Sequence, residues 1–326
     1  NMQYQGPDLA TFGKQIQFAL NSFSSPNIDK SKVKNIVIAG LGGSGIAGRM
    51  VERLYINRLP VPYIVFSDYF LPKSIDENTL VILCSYSGNT EETLAMAEQA
   101  GKSACQMIAI STGGKLQEFA EKHSISFYPA ECGFQPRMAL GYSFTYLQLI
   151  LSNLYDWNLE KKLIELSEAV SDHEIYKEQA KDLLEKLTPH LDKKFVVLSD
   201  YFGYSAGLRF CQQINENSKL EAFIHEIPET NHNVIESYYG ELNSVFFIMN
   251  SGTNDCVNLR FDFNQQLLEE NNNVVIDLEL NSAELLPLIK MVYTLDWLSL
   301  WLADYQNLRS DNIKNIKALK AELSSK

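Results

Sequence analysis

The 326-residue chain carries 28 Lys and Arg against 40 Asp and Glu, a formal net charge of −12 at pH 7. That balance argues against a general nucleic-acid-binding surface, which needs a basic face. With 45% hydrophobic and 21% charged residues, the composition is that of an ordinary globular protein long enough for two domains. Short apolar runs at 36–39, 63–66, 80–84, 107–110 and 125–128 read as strands, separated by helix-length segments that include 46–56 and 91–100. A long helix is expected over about 138–156, closing the first α/β unit. The charged, glycine-free stretch 159–191 reads as a connecting helical segment, which puts the domain boundary at 156/157. Strands then recur at 195–198, 222–225, 245–249 and 274–277, with helices expected at 256–270, 285–302 and 312–323. Continuous apolar strands alternating with helices predict two tandem α/β units, each a mainly parallel sheet covered by helices on both faces.

Five scattered cysteines, Cys84, Cys105, Cys132, Cys211 and Cys256, form no C-x-x-C pair and suggest a reducing compartment. The first twenty residues carry no secretory pattern, and the apolar stretch 291–303 is short for a bilayer and contains Asp296. Together these predict a soluble cytoplasmic protein with no membrane association.

Two glycine turns rich in hydroxyls carry the functional signal. Gly40-Leu-Gly-Gly-Ser-Gly45 and Ser85-Tyr-Ser-Gly-Asn-Thr90 each follow a strand and each open a helix. Helix N-termini present unpaired N–H groups and a partial positive charge, glycines allow close approach, and hydroxyls add donors. Two such turns from neighbouring strands can hold one phosphate, with Gly43, Ser44, Ser85, Ser87 and Thr90 as its ligands. The first turn also satisfies G-x-G-x-x-G, with Asp68 ending the next strand, which is the outline of a dinucleotide site. Against it stand the Ser44 hydroxyl at the helix start and the further hydroxyls of the second turn. Thr90 can also be read as an ordinary helix cap.

The strand, Ser-x-Ser-Gly-Asn-Thr-Glu-Glu, helix sequence resembles the sugar isomerase (SIS) domain, a phosphosugar-binding α/β fold. Gln135-Pro-Arg137, Asn215-Glu-Asn217 with Lys219, Pro228-Glu-Thr-Asn-His-Asn233 and Ile316-x-x-Leu-Lys320 extend the resemblance to the bifunctional phosphoglucose/phosphomannose isomerases. The resemblance implies two SIS-type domains, residues 1–156 with the phosphate loops and 157–326 with the chemistry. It implies an aldose–ketose isomerase acting on phosphorylated hexoses without cofactor or metal. Glu216 would be the base, His232 the ring-opening group, Arg137 the cation near the enediolate oxygens, and Lys314 a contact to the sugar or its ring oxygen. His232 would enter from a partner subunit, which implies a homodimer. The chain departs from the family at Arg309-Ser-Asp-Asn312, where an Asp-Pro pair is usual. Asn307 stands in place of a threonine associated with mannose 6-phosphate activity. Glucose 6-phosphate is therefore the first substrate implied and mannose 6-phosphate the second. The alternatives are a phosphosugar sensor without chemistry and an isomerase of another phosphosugar.

Overall fold

A computed structural model describes residue 2 and residues 4–326. The chain divides into two compact units, one of residues 10–172 and one combining the first nine residues with 173–326. The first helix, α1 (Gly6–Leu9), therefore belongs with the C-terminal unit, where the Leu9 carbonyl accepts from the Tyr293 hydroxyl at 2.9 Å.

Within residues 10–172 the order is α2 (Phe12–Ser22), β1 (Asn35–Ala39), α3 (Gly42–Tyr55), β2 (Tyr63–Phe66), β3 (Thr79–Cys84), α4 (Glu91–Gly101), β4 (Gln106–Ser111) and α5 (Gly114–Lys122). It ends with β5 (Ser126–Pro129), α6 (Leu140–Tyr155) and α7 (Glu160–Ala169). The five strands form one parallel sheet in the order β2-β1-β3-β4-β5. All six residues of β3 are buried, as a strand covered on both faces requires. Alternate residues divide the labour. Val37, Val81, Leu83, Met107 and Ala109 pack on Met96, Ala97 and Ala100 of α4 and Leu116 and Ala120 of α5. Ile38 faces the other way, against Gly48 of α3.

The boundary lies at 172/173 rather than at the expected 156/157. The charged segment after 156 is amphipathic, and α7 buries Leu163 and Leu166 while packing on α2. It is therefore part of the first unit's outer layer rather than a connector.

The second unit continues with α8 (His173–Leu187), β6 (Lys194–Ser199), α9 (Tyr204–Gln213), β7 (Ala222–Glu226), β8 (Ser244–Met249), α10 (Asp255–Glu270), β9 (Val274–Asp277), α11 (Leu285–Tyr305) and α12 (Lys314–Ser324). Its four strands are parallel in the order β7-β6-β8-β9. Phe195 and Phe247 stack towards Phe210 of α9, whereas Phe246 and Ile248 pack with Phe261 and Leu268 of α10. At 21 residues α11 is longer than the apolar stretch read from the sequence, and by length and composition it could cross a bilayer. Here 72% of its most apolar window is buried, and it packs against α8 and α9 as the core helix of the unit.

In both sheets the first strand has the second on one side and the third on the other. The chain thus leaves β1 and β3, or β6 and β8, in opposite directions. This opens a crevice at their carboxyl ends, the place where open parallel sheets bind ligands.

Candidate active site

The two hydroxyl-bearing turns occupy that crevice in the first unit. One follows β1 and the other β3, so adjacency of the strands brings the turns side by side. Ser44 sits in the first turn of α3 and its Oγ accepts from the Tyr86 N–H at 3.0 Å. Gly43, Ser44 and Ser85 line one small cavity together with Tyr86, Ser111, Tyr142 and Ser143. Its volume is about 10 Å³, room for a single water.

That small volume has a local cause. The Ser85 Oγ lies 2.7 Å from the Thr90 Oγ1 and accepts the Gly88 N–H at 3.0 Å, so the second turn winds around its own hydroxyl. Thr90 precedes α4 without making a side-chain cap bond; its hydroxyl is turned to Ser85 instead. Ser87 is exposed and accepts from the Asn89 N–H at 3.1 Å. Gly43, Ser44 and Ser85 are thus brought together, Thr90 joins them through its hydroxyl on Ser85, and Ser87 stands exposed on the same turn.

Arg137 joins this group. Pro136 starts a short 3₁₀ turn, Pro136–Met138, and Gly43 packs on it so closely that a Cβ there would lie 2.7 Å from the Pro136 carbonyl carbon. Arg137 is 4% exposed, which rules out an ordinary surface arginine. Tyr86 ties the preceding segment down: its hydroxyl donates to the Glu131 carbonyl at 2.7 Å and accepts the Phe134 N–H at 3.1 Å.

Glu216 belongs to the second unit. The helix α9 ends at Gln213, and residues Ile214–Ser218 form one π turn. Such wide turns are rare overall and frequent at functional sites. This one is fastened from α11. Asn217, fully buried, donates to the Ser299 Oγ at 2.9 Å, and the Ser218 hydroxyl donates to the Ser299 carbonyl at 2.7 Å. Gln306 donates to the Ser218 carbonyl at 3.0 Å, and Asn215 to the Leu220 carbonyl at 3.0 Å. One turn upstream, Arg209 makes a buried two-bond pair with Asp296, at 3.1 and 2.9 Å. Burial pushes the Asp296 carboxyl up, and the Arg209 guanidinium opposes that shift. The amides flanking Glu216 therefore hold the turn, and the carboxylate between them is half-buried.

Glu216 and Lys314 line one open cleft of about 480 Å³. Lys314 is the first residue of α12, and its polar neighbours in the wall include Lys219, Arg309 and Asn312. Arg309 forks onto Asp311 at 3.0 and 2.8 Å and so holds that carboxyl below its ordinary range, with a smaller contribution from Lys219. His232 is exposed at the end of a short turn, Glu229–His232, and is not among the walls of this cleft. Asn307 is not a wall either. It closes α11 in the left-handed conformation, φ 58°, where an asparagine is tolerated and a β-branched threonine would be strained. Its bulk does not narrow the cleft.

The sequence pattern does not point to Ser111 or Ser143, and it marks Arg309 and Asn312 only as a departure from the family. Ser143 carries the clearest signal, a hydroxyl in the first turn of the helix that follows Arg137. Among the described residues no group of three or more His, Cys, Asp or Glu side chains is placed to hold a metal ion.

The comparisons with known proteins follow the same division. Residues 31–148 match the SIS domain family, and residues 176–323 match the bacterial phospho-glucose isomerase C-terminal SIS domain. A bifunctional phosphoglucose/phosphomannose isomerase of Caldicellulosiruptor bescii is 33% identical over 326 residues, 95% of this chain and 96% of that protein. The chain belongs to the bifunctional phosphoglucose/phosphomannose isomerase family. A D-glucosamine-6-phosphate 4-epimerase of Sulfolobus acidocaldarius is 34% identical over 215 residues, 65% of this chain and 67% of that protein. Among solved structures, the C-terminal domain of glucosamine-fructose-6-phosphate aminotransferase from Francisella tularensis superposes with a TM-score of 0.70. It covers 93% of this chain and 96% of its own at 14% identity, a likeness of fold.

Proposed function

We propose that this chain is an aldose–ketose isomerase that interconverts glucose 6-phosphate with fructose 6-phosphate and takes mannose 6-phosphate as a second aldose. The observation that carries the reading is the cleft where Glu216, on a π turn fixed by buried bonds, meets Lys314. Isomerisation moves one proton between C1 and C2 of the open-chain sugar through an enediolate. It needs one carboxylate base, a proton donor and acceptor for ring opening, and cations near the developing oxyanion.

Glu216 takes the proton from C2 of the aldose and returns it to C1. The reverse direction begins at C1. Lys314 contacts the sugar or its ring oxygen, and Arg137 faces the enediolate oxygens. The phosphate is held by Gly43, Ser44, Ser85, Ser87 and Thr90, with the second turn opening around Ser85 to admit it. His232 passes the ring-opening proton. It does not line the cleft of its own chain, which supports its delivery across a homodimer interface.

The test is a coupled assay started from fructose 6-phosphate, scoring glucose 6-phosphate and mannose 6-phosphate separately, with glucosamine 6-phosphate as a further substrate. Glu216→Gln is expected to lower kcat about 10²–10⁴-fold while phosphosugar binding and fold are kept. A Glu216→Gln protein that isomerises at the wild-type rate refutes the mechanism. Mixing His232→Ala with Glu216→Gln subunits should restore activity in heterodimers, and failure to do so refutes the shared site.

A further inference from the structure

Lys219 stands in the left-handed conformation, φ 59° and ψ 35°, immediately after the π turn. Glycine is the residue that usually follows a helical turn in this conformation, because a Cβ is strained there. A lysine in this place carries that strain, so its side chain is the feature to explain. The ammonium has gathered three backbone carbonyls: those of Glu216, Ser310 and Asn312. Glu216 is the proposed base, and Ser310 and Asn312 belong to the loop that leads into Lys314. One nitrogen thus joins the turn that carries the carboxylate to the segment that carries the cleft's other proposed reacting group.

We propose that Lys219 is a positioning residue that fixes the separation of Glu216 and Lys314; this rests on the isomerase reading above. The chemistry matches an ammonium closely. It has three N–H donors spread around one atom, whereas a guanidinium is a flat fork. Other fastenings of the turn run from α11, through Ser299 and Gln306. Lys219 additionally binds the 310–312 loop, which α11 does not reach through those bonds. Without the ammonium, the base keeps its bonds to α11 while the Lys314 segment loses these bonds to it. A displacement of about 1 Å between reacting groups can cost about 10²-fold in rate.

The test uses the full chain with Lys219→Met, Lys219→Gly and Lys219→Arg. Lys219→Met keeps the stem and removes the charge, and Lys219→Gly also relieves the left-handed backbone. Two measurements are made on each. The first is steady-state isomerisation of fructose 6-phosphate together with binding of sorbitol 6-phosphate, an acyclic phosphosugar that cannot isomerise. The second is amide hydrogen exchange over 214–218 and 310–314, which does not depend on any activity.

Expected are faster exchange in both segments, a kcat lower by about 10²-fold in all three variants, and sorbitol 6-phosphate affinity and KM within about threefold of wild type. Lys219→Gly is expected to keep its thermal midpoint, separating loss of rate from loss of fold. Unchanged exchange in Lys219→Met overturns the clamp. Faster exchange with wild-type kcat overturns its catalytic role, and full activity in Lys219→Arg shows that charge alone suffices and overturns it as well. A wild-type protein inactive on every sugar would instead overturn the isomerase reading, and exchange alone would then decide the clamp.

Discussion

Asp200 and Ser251 close, in the second sheet, the crevice that Ser44 and Ser85 line in the first. Asp200 follows β6 and Ser251 follows β8, the strands on either side of the switch in chain direction. The Asp200 carboxylate accepts the Ser251 N–H at 3.1 Å, the Gly203 N–H at 2.9 Å and the Ser251 hydroxyl. One crevice is thus furnished with hydroxyls, and the other with a buried carboxylate already bonded to its donors.

Replacing Asp200 by Ala strands those donors in a buried place. Each unmet buried donor costs about 1–3 kcal/mol, so a loss of about 3 kcal/mol in unfolding free energy is expected for Asp200→Ala. Urea denaturation of the variant against wild type measures it. A change below about 1 kcal/mol would mean the carboxylate is not what holds this crevice shut.

Gly43→Ala tests the joint between the phosphate turn and the Arg137 turn. The new Cβ would meet the Pro136 carbonyl carbon at 2.7 Å and the Arg137 nitrogen at 2.8 Å, both backbone atoms that cannot swing aside. The turns must separate, so KM for the phosphosugar is expected to rise at least about tenfold, equivalent to about 1.4 kcal/mol of lost binding. An overpacking cost of about 1–3 kcal/mol in stability should accompany it. Steady-state kinetics at saturating and limiting fructose 6-phosphate separate the two effects. An unchanged KM would detach Gly43 from the phosphate site.

His225 gives the fold an acid sensitivity of known direction. It lies half-buried on β7, and burial pushes its pKa below the ordinary 6.5. As pH falls, the unfolded chain takes up the imidazole proton before the folded chain does. The stability His225 contributes is therefore complete above about pH 6.5 and is lost as pH drops through the lower folded value. The denaturation midpoint of wild type relative to His225→Gln should hold steady above about pH 7.5 and decline towards about pH 5. A difference that grows on acidification would reverse the sign and refute the assignment.

Strands were the most legible part of the fold, for a physical reason. Runs such as Leu80–Cys84 are buried on both faces, so every residue must be apolar and the pattern has sharp ends. Tyr63–Phe66 and Val274–Asp277 fall where expected. Helices that cover only one side were harder. In α7 the outward charges hide the small stripe of Leu163 and Leu166, which is why the boundary was placed sixteen residues early. The helix α5 was not named because Gly113 and Gly114, both at positive φ, read as a break rather than as a start. At the candidate site, the spacing of hydroxyls and glycines singles out Ser44 and Ser85, whereas Arg137 and Glu216 are marked only by the family resemblance. Conformation stayed hidden. Nothing in Ile-Asn-Glu-Asn-Ser marks a π turn, and nothing in Lys219 marks a left-handed backbone or a reach back to three carbonyls.

The wide turn at 214–218 also stores information as chain length. Its bonding pattern, with the Lys219 N–H on the Ile214 carbonyl, houses one more residue than a regular helical wind. Deleting Ile214 or Asn215 would let the segment rewind regularly and rotate the carboxylate about 100° around the helix axis. Exchanging the side chains beside Glu216 should tune the protein by degrees, whereas shortening the stretch ahead of it by one would silence it outright.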